Sequence, residues 1–406
     1  MATTATTASL RSLIQRELLS LIDIRHDLHK HPEMGFKEER TSGLVQRELS
    51  ALKVRYKAGL ARGTGVIAHF PPSDPADAHK PAVALRADMD ALPITETTGK
   101  PYSSTTKGVM HACGHDGHTT ILLGAARILS KVHRPNPVTL VFQPAEEGGA
   151  GGEKMCQDGA LAGEGKGGLG PAVGRIYGLH GWPMLPLSKV ASRPGPMLAA
   201  VDDFIVDVLG TGGHAAYPHL GHDPIVAAAH VITALQTIAS RNVGPLDSVV
   251  CTVGQIEGGT ANNIIPSSVR LIGTVRTLKP ETRKFARERF FGIIENTCRA
   301  FNCRASIDWH ESYPVTLNDA ALAADFADAA RATLGEARFQ AIEHPTMGGE
   351  DFAYYANVVP ACFFFLGLKP EGAAAYPTLH QPDFDFNDDA IATGIEMMVT
   401  MATREM

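Results

Sequence analysis

Cysteine is scarce in this chain, with six among 406 residues, at positions 113, 156, 251, 298, 303 and 362. So thin a scatter offers no disulfide framework and points to a reducing compartment. Long apolar runs are missing too. The densest, Ala361 to Leu368, is far too short to cross a bilayer. No block of Lys or Arg stands out and the formal net charge is -6, so there is no nucleic-acid footprint, and the mild acidity serves solubility. Met1 to Ser9 is rich in Thr and Ala and has neither the basic nor the apolar region of a secretory leader. These absences predict a cytoplasmic protein that engages neither membrane nor nucleic acid.

What is present is ordinary globular material, 44% hydrophobic and 20% charged. At roughly 100–200 residues per domain, two or three domains are expected, with cores large enough to need no cross-links. The apolar positions Leu10, Leu13, Ile14, Leu18, Leu21, Ile22 and Ile24 predict a helix to Leu28 that Ser9 can cap. Glu38 to Leu52 reads as a second amphipathic helix. Val83 to Asp90 reads as a buried strand ending in acids. A helix is predicted over His118–Leu129, and strands over Val138–Phe142 and Ile176–His180. This alternation implies an α/β domain whose mostly parallel sheet is sandwiched by helices, with ligands at the strand ends.

From about Pro194 the texture changes. Asp203–Leu209 and Ala305–Trp309 alternate in polarity and Leu271–Val275 reads as a strand, while Pro224–Ser240 and Glu281–Arg299 read as helices. This is a small α+β unit inserted into the larger domain. The first texture returns near Tyr313-Pro314, with a helix over Ala320–Leu334, a strand over Ala361–Leu366 and a final helix from Asp388. The expected organisation is a discontinuous α/β domain at 1–193 and 312–406 and an insert at 194–311. Ala162 to Gly174 reads as a flexible glycine-rich loop.

The densest chemistry lies in His111-Ala-Cys-Gly-His-Asp-Gly-His118, with three imidazoles, a thiol and a carboxylate in one stretch. Cys and His are the preferred ligands of zinc-like cations, although spacing alone does not say which histidines bind. Glu146 and Glu147 follow a strand. Neighbours on extended backbone point opposite ways, so one can hold a metal while the other faces substrate as general base. His180 ends a buried strand. Asp88 and Asp90 share a face at another, which suits carboxylates that bind metal or orient an imidazole. In the insert, the glycines around His214 allow a ligand close to the backbone. Arg276, on a strand near a glycine-rich loop, suits bidentate capture of a carboxylate, or else a surface ion pair.

Taken together, the segments Arg86-Ala-Asp-Met-Asp-Ala-Leu-Pro93, Met110 to His118, Phe142-Gln-Pro-Ala-Glu-Glu-Gly148, Gly178-Leu-His-Gly-Trp-Pro183, Gly212-Gly-His-Ala-Ala-Tyr-Pro-His219, Gly348-Gly-Glu-Asp-Phe352 and Leu379-His380 resemble the aminoacylase/carboxypeptidase metallohydrolases, peptidase family M20. The resemblance spans nearly the whole chain. It is strongest to the branch of hippurate hydrolases, auxin-conjugate hydrolases and N-acyl-amino-acid amidohydrolases. It implies two divalent metal ions, zinc foremost with manganese, cobalt and nickel as alternatives, held by Cys113, His115, Glu147, His180 and His380. Cys113 stands where distant relatives carry a bridging aspartate, and Asp88 where they carry a histidine ligand. Glu146 is implied as general base, with Asp90 orienting the site and His214 polarising the scissile carbonyl. Asn263 and Arg276 are implied to hold the substrate carboxylate. The insert is implied to be a lid and dimerisation domain, making a homodimer or higher oligomer. The implied reaction is hydrolysis of an N-acyl amino acid or a peptide-like conjugate, a dipeptide or an acetylated diamino acid being the neighbouring choices. Two departures bear on specificity: Asn262 stands where an aromatic residue is usual, and the 162–174 loop is longer than is typical.

Overall fold

The computed structural model describes residues 7–405, so the reading of the polar residues 1–6 lies outside it. In chain order it begins with α1 (Thr7–Lys30), α2 (Glu39–Ala51), β1 (Arg55–Leu60), β2 (Gly65–Phe70), β3 (Ala82–Asp88), α3 (His115–Leu129), β4 (Val138–Gln143), α4 (Gly151–Gln157), β5 (Val173–Pro186), β6 (Val190–Ser192) and β7 (Gly195–Leu198). There follow β8 (Ala200–Leu209), β9 (Gly213–His214), α5 (Pro224–Leu235), β10 (Val249–Glu257), β11 (Ile264–Ile265), β12 (Ser268–Thr277), α6 (Pro280–Ala300) and β13 (Arg304–Glu311). The chain ends with β14 (Thr316–Asn318), α7 (Ala320–Leu334), β15 (Phe339–Ala341), α8 (Ala353–Ala356), β16 (Ala361–Lys369) and α9 (Ile391–Thr403). Two compact units result. The second comprises Leu198–Thr316 and Pro345–Glu350, and the first is everything else, so its chain is interrupted by the second.

The first unit is built on an eight-stranded sheet in the order β1-β2-β4-β3-β5-β16-β6-β15. Its centre is parallel, β4 beside β3, β3 beside β5 and β5 beside β16. An antiparallel hairpin, β1 with β2, forms one edge, and β6 runs antiparallel to β16 near the other. The sheet is therefore mixed. The hairpin escaped the sequence because β1 alternates between exposed and half-buried residues and carries little apolar signal. β3 is buried at every position, as a strand covered on both faces must be. One face of the sheet packs against the apolar stripes of α1, α3, α7 and α9, which bury Leu21, Leu28, Ile121, Phe326 and Ile395. On the other face, Phe363 of β16 meets Phe352 at 5.0 Å between ring centres.

Local chemistry shifts several boundaries from those expected. α1 is already helical at Thr7, so Ser9 lies inside the first turn and does not cap it. α3 starts at His115, three residues before the apolar periodicity begins. β5 continues to Pro186 because it stays paired with β16 from Ala361 to Lys369. α5 ends at Leu235 and passes into a wider turn at Ile238–Asn242. There the hydroxyls of Thr233, Thr237 and Ser240 bond carbonyls one turn back and compete with the helical ladder. The stretch 162–174 is closed on itself, with the Glu164 N–H donating to Gly170 O and the Lys166 N–H to Gly163 O.

The second unit has a four-stranded antiparallel sheet, ordered β10-β12-β8-β13, with α5 and α6 on one face. Phe204, Val206 and Val208 of β8 form its core with Val231, Leu235, Phe290 and Ile294. The pairing of β9 with β11 sets His214 opposite Ile264.

Candidate active site

Three neighbouring strands of the first unit, β4, β3 and β5, bring their motifs to one end of the sheet. Beyond β3, Asp90 accepts the N–H of Glu146 at 3.0 Å and that of Glu147 at 2.9 Å. The two glutamates lie beyond the end of β4, where the Gly148 N–H closes back on Glu146 O at 2.8 Å. They follow Ala145, which sits at φ 54, inside a tight turn. Their side chains consequently point toward the same place, and one oxygen of each shares a neighbourhood within 4.8 Å with a nitrogen of His115. The predicted division of labour by opposite facing is not how the backbone arranges them.

Gly114, at φ 88, is the residue before α3, and a Cβ there would stand 2.9 Å from the Phe386 ring. A glycine is required on both counts. This turn delivers Cys113 and His115 together. Cys113 Sγ is 3.3 Å from His180 Nε2, and His115 Nδ1 is 3.2 Å from Asp90 Oδ1. His380, on a left-handed backbone at φ 64, has its N–H bonded to Ala112 O and its Nε2 3.2 Å from Glu147 Oε1. Three sets of ligand atoms, each within 4.8 Å of one another, overlap: Cys113 with His115 and His180, Cys113 with Glu147 and His380, and His115 with Glu146 and Glu147. All five expected ligand residues thus form one cluster with Glu146, and all lie in the first unit.

The three histidines left open by spacing separate here. His118 has both nitrogens engaged, Nδ1 with Asp88 at 2.7 Å and Nε2 accepting the Gly181 N–H at 2.8 Å. His111 faces His29, with ring centres 6.3 Å apart, and burial lowers it to about 4. His115 joins two of these sets and a further one with Asp88 and His118, the only set among the described residues that His118 enters, and its Nε2 is buried with no hydrogen-bond partner, Asp88 Oδ2 being 3.9 Å away.

The electrostatics are unbalanced without a cation. Burial and the charges of Glu147 and Glu146 push the Cys113 thiol well up. Burial with nearby His118 holds His180 well below its ordinary value. Burial would lower His115 as well, but Asp88 and Asp90 raise it to about 10. Asp88, despite burial, is held well below the usual carboxylate range by His115, Arg86 and His118. Thiol, imidazoles and carboxylates of this kind suit divalent metals of intermediate softness, and the orphaned His115 Nε2 is what such an ion would satisfy.

His214, Asn263 and Arg276 belong to the second unit. The first two are exposed neighbours, joined by the Ala215 N–H donating to Asn263 O. Arg276 lies on β12 with its Nε donating to Thr274 Oγ1, and among the described residues no carboxylate pairs with it. Sequence reasoning gave no role to Arg86, Gln143 and Asp351, which form a buried network behind Glu146. The available signal was an arginine in the middle of the apolar run Val83-Ala-Leu-Arg-Ala-Asp88, since a buried guanidinium demands acid partners.

Residues 84–404 match the family described as peptidase family M20/M25/M40. N-acetyl-L-cysteine deacetylase of Bacillus subtilis is 41% identical over 387 residues, covering 95% of this chain and 88% of that protein. An IAA-amino acid hydrolase of Arabidopsis thaliana is 40% identical, covering 95% and 85%. A solved structure from Bacillus subtilis, described as a dinuclear metal-binding peptidase of the M20 family, superposes with a TM-score of 0.80 at 31% identity, covering 96% of this chain and 98% of that one.

Proposed function

The chain belongs to peptidase family M20/M25/M40, and on that premise we propose that it hydrolyses the amide bond of N-acyl amino acids with two divalent metal ions and Glu146 as general base. The observation that carries this reading is the convergence of Cys113, His115, Glu147, His180 and His380 in overlapping sets of ligand atoms, with His115 Nε2 left without a partner and Glu146 beside them in a buried turn. Those five residues would hold the metals. The mixed sulfur and nitrogen donors favour zinc over manganese, cobalt or nickel. Cations bound there supply Lewis acidity toward the scissile carbonyl and stabilise the negative charge that develops on it.

The chain's own residues do the rest. Glu146 takes a proton from the attacking water on a carboxylate oxygen and delivers it to the departing amine nitrogen. Asp90 fixes the His115 ring through Nδ1 and holds the turn of Glu146 and Glu147 through their N–H groups. Cys113, a neutral thiol on burial alone, gives up its proton to bind. His214 polarises the carbonyl oxygen. Asn263 and Arg276 take the free carboxylate, a role supported by the absence of an acid partner for Arg276 among the described residues. The second unit acts as the lid and as the surface of a homodimer or higher oligomer. No helix among the described residues is long and apolar enough to cross a membrane, and a cytoplasmic enzyme fits the sparse cysteines.

The relatives divide between a deacetylase, an IAA-amino acid hydrolase and a peptidase, so a dipeptidase is the second reading. A panel of acetyl, aliphatic and aromatic amides of several amino acids, alongside dipeptides, tests both on metal-reconstituted protein. Turnover of the N-acyl amino acids supports the proposal. Turnover of dipeptides alone replaces it with the second reading, and no turnover of either removes both.

A further inference from the structure

The Arg86 guanidinium, fully buried on the central strand β3, holds three acceptors from separate parts of the chain. Its Nε donates to Gln143 Oε1 at 2.8 Å, its Nη1 to Asp88 Oδ2 at 2.6 Å and its Nη2 to Asp351 Oδ1 at 2.8 Å. Asp351 is itself fully buried, and its carboxylate also accepts both Gln143 Nε2, at 2.9 Å, and the Gly152 N–H, at 2.8 Å. Gly152 has no alternative, since a Cβ there would stand 2.7 Å from Asp351 O. The main-chain N–H of Asp351 then donates to Glu146 Oε1 at 3.3 Å. Asp351 therefore reads the position of the 145–152 turn with its side chain and reports it to Glu146 with its backbone.

We infer that Asp351 is a positioning residue for Glu146, set in place by Arg86 and Gln143, so that one buried guanidinium aligns the general base on one side and Asp88 with its imidazoles on the other. This rests on the reading of Glu146 as the base. The arrangement is specific in polarity. Gln143 must present its oxygen to Arg86 and its amide to Asp351, and Asp351 must accept on both oxygens. An asparagine at 351 sets an NH2 group against donors on one side or the other. A glutamate at 143 breaks the match from the other side, since its carboxylate would face both Asp351 oxygens, which accept Gln143 Nε2.

The test compares Asp351→Asn and Gln143→Glu with the wild type as metal-loaded proteins, by crystal structures and by kinetics on N-acetyl-L-cysteine. In Asp351→Asn the Glu146 side chain should leave its wild-type rotamer while the five ligand residues stay in place. Its kcat should fall about 100-fold, the scale of a misplacement near 1 Å, with KM within roughly threefold and metal content unchanged. Gln143→Glu should displace Glu146 in the same way. A simple packing role predicts a different split, a lower Tm with kcat, KM and metal content moving together. The inference is overturned if Glu146 keeps its rotamer in either variant. Where Asp351→Asn does not fold, Gln143→Glu decides alone. Should the wild-type protein turn over no N-acyl amino acid, the proposed function falls, while the Glu146 rotamers still decide this point.

Discussion

Glu146→Gln separates base chemistry from metal binding. The substitution preserves volume, and Gln can still accept the Asp351 N–H through its remaining carbonyl oxygen, so the side chain has reason to stay where it is. It leaves Cys113, His115, Glu147, His180 and His380 untouched. What disappears is the ability to take a proton. General-base assistance is worth about 10²–10⁴ in rate, or about 3–5 kcal/mol of barrier. The expected result is a fall in kcat of that size with full metal content. Glu147→Gln is the control, because Glu147 joins two of the three overlapping ligand sets and its loss should strip metal first. The assay pairs elemental analysis of the purified protein with kcat and KM, after metal reconstitution, on the N-acyl amino acid that the substrate panel shows to be turned over fastest. A Glu146→Gln protein within about tenfold of wild type, fully loaded, would refute the assignment.

Arg25 is buried against Asp116 at 3.3 Å, Asp385 at 2.6 Å and Asp388 at 2.7 Å, so Arg25→Met leaves the buried Asp116 and the half-buried Asp385 and Asp388 without this cation. A loss of about 3–5 kcal/mol is expected, seen as a drop in Tm on the order of 10 °C, and an unchanged Tm contradicts it. Burial opposes protonation of His29, but Asp116 and Glu96 raise it from 6.5 to about 9. Its stabilising share is complete below pH 6.5 and fades as pH rises through 9, so Tm should decline over that window and the decline should flatten in His29→Asn. Arg276→Ala should weaken turnover of substrates with a free carboxylate far more than of their amides; equal losses exclude the role. Prolonged chelation should abolish activity and lower Tm, and added divalent ion should restore both, whereas an indifferent protein holds no functional metal.

Much of this was readable from the chain because the chemistry is concentrated in short words at strand ends. His-Ala-Cys-Gly-His and Ala-Glu-Glu announce metal and acid–base work without any knowledge of the fold, and alternation of helix and strand patterns gave the α/β sheet. What stayed hidden depends on contacts remote in sequence. His118 resembles a ligand in its motif, yet Asp88 and the Gly181 N–H occupy both nitrogens, and Gly181 is far away along the chain. The turn of Ala145 that aims both glutamates at one place leaves no mark on a one-dimensional pattern. The β1–β2 hairpin was missed for a simpler reason, since an edge strand with one wet face carries too few apolar residues to stand out.

The interruption of the first unit orders events during synthesis. β16, the neighbour of β5, is made only after the second unit, and so is His380. A nascent chain that stops short of residue 361 presents β5 as a raw hydrogen-bonding edge in what becomes the middle of the sheet, the kind of surface on which other chains pair. The cluster lacks His380 at the same stage. On the proposed function, loading with metal would be deferred along with sealing of the sheet to the last part of translation, and truncated products should be sticky and empty together.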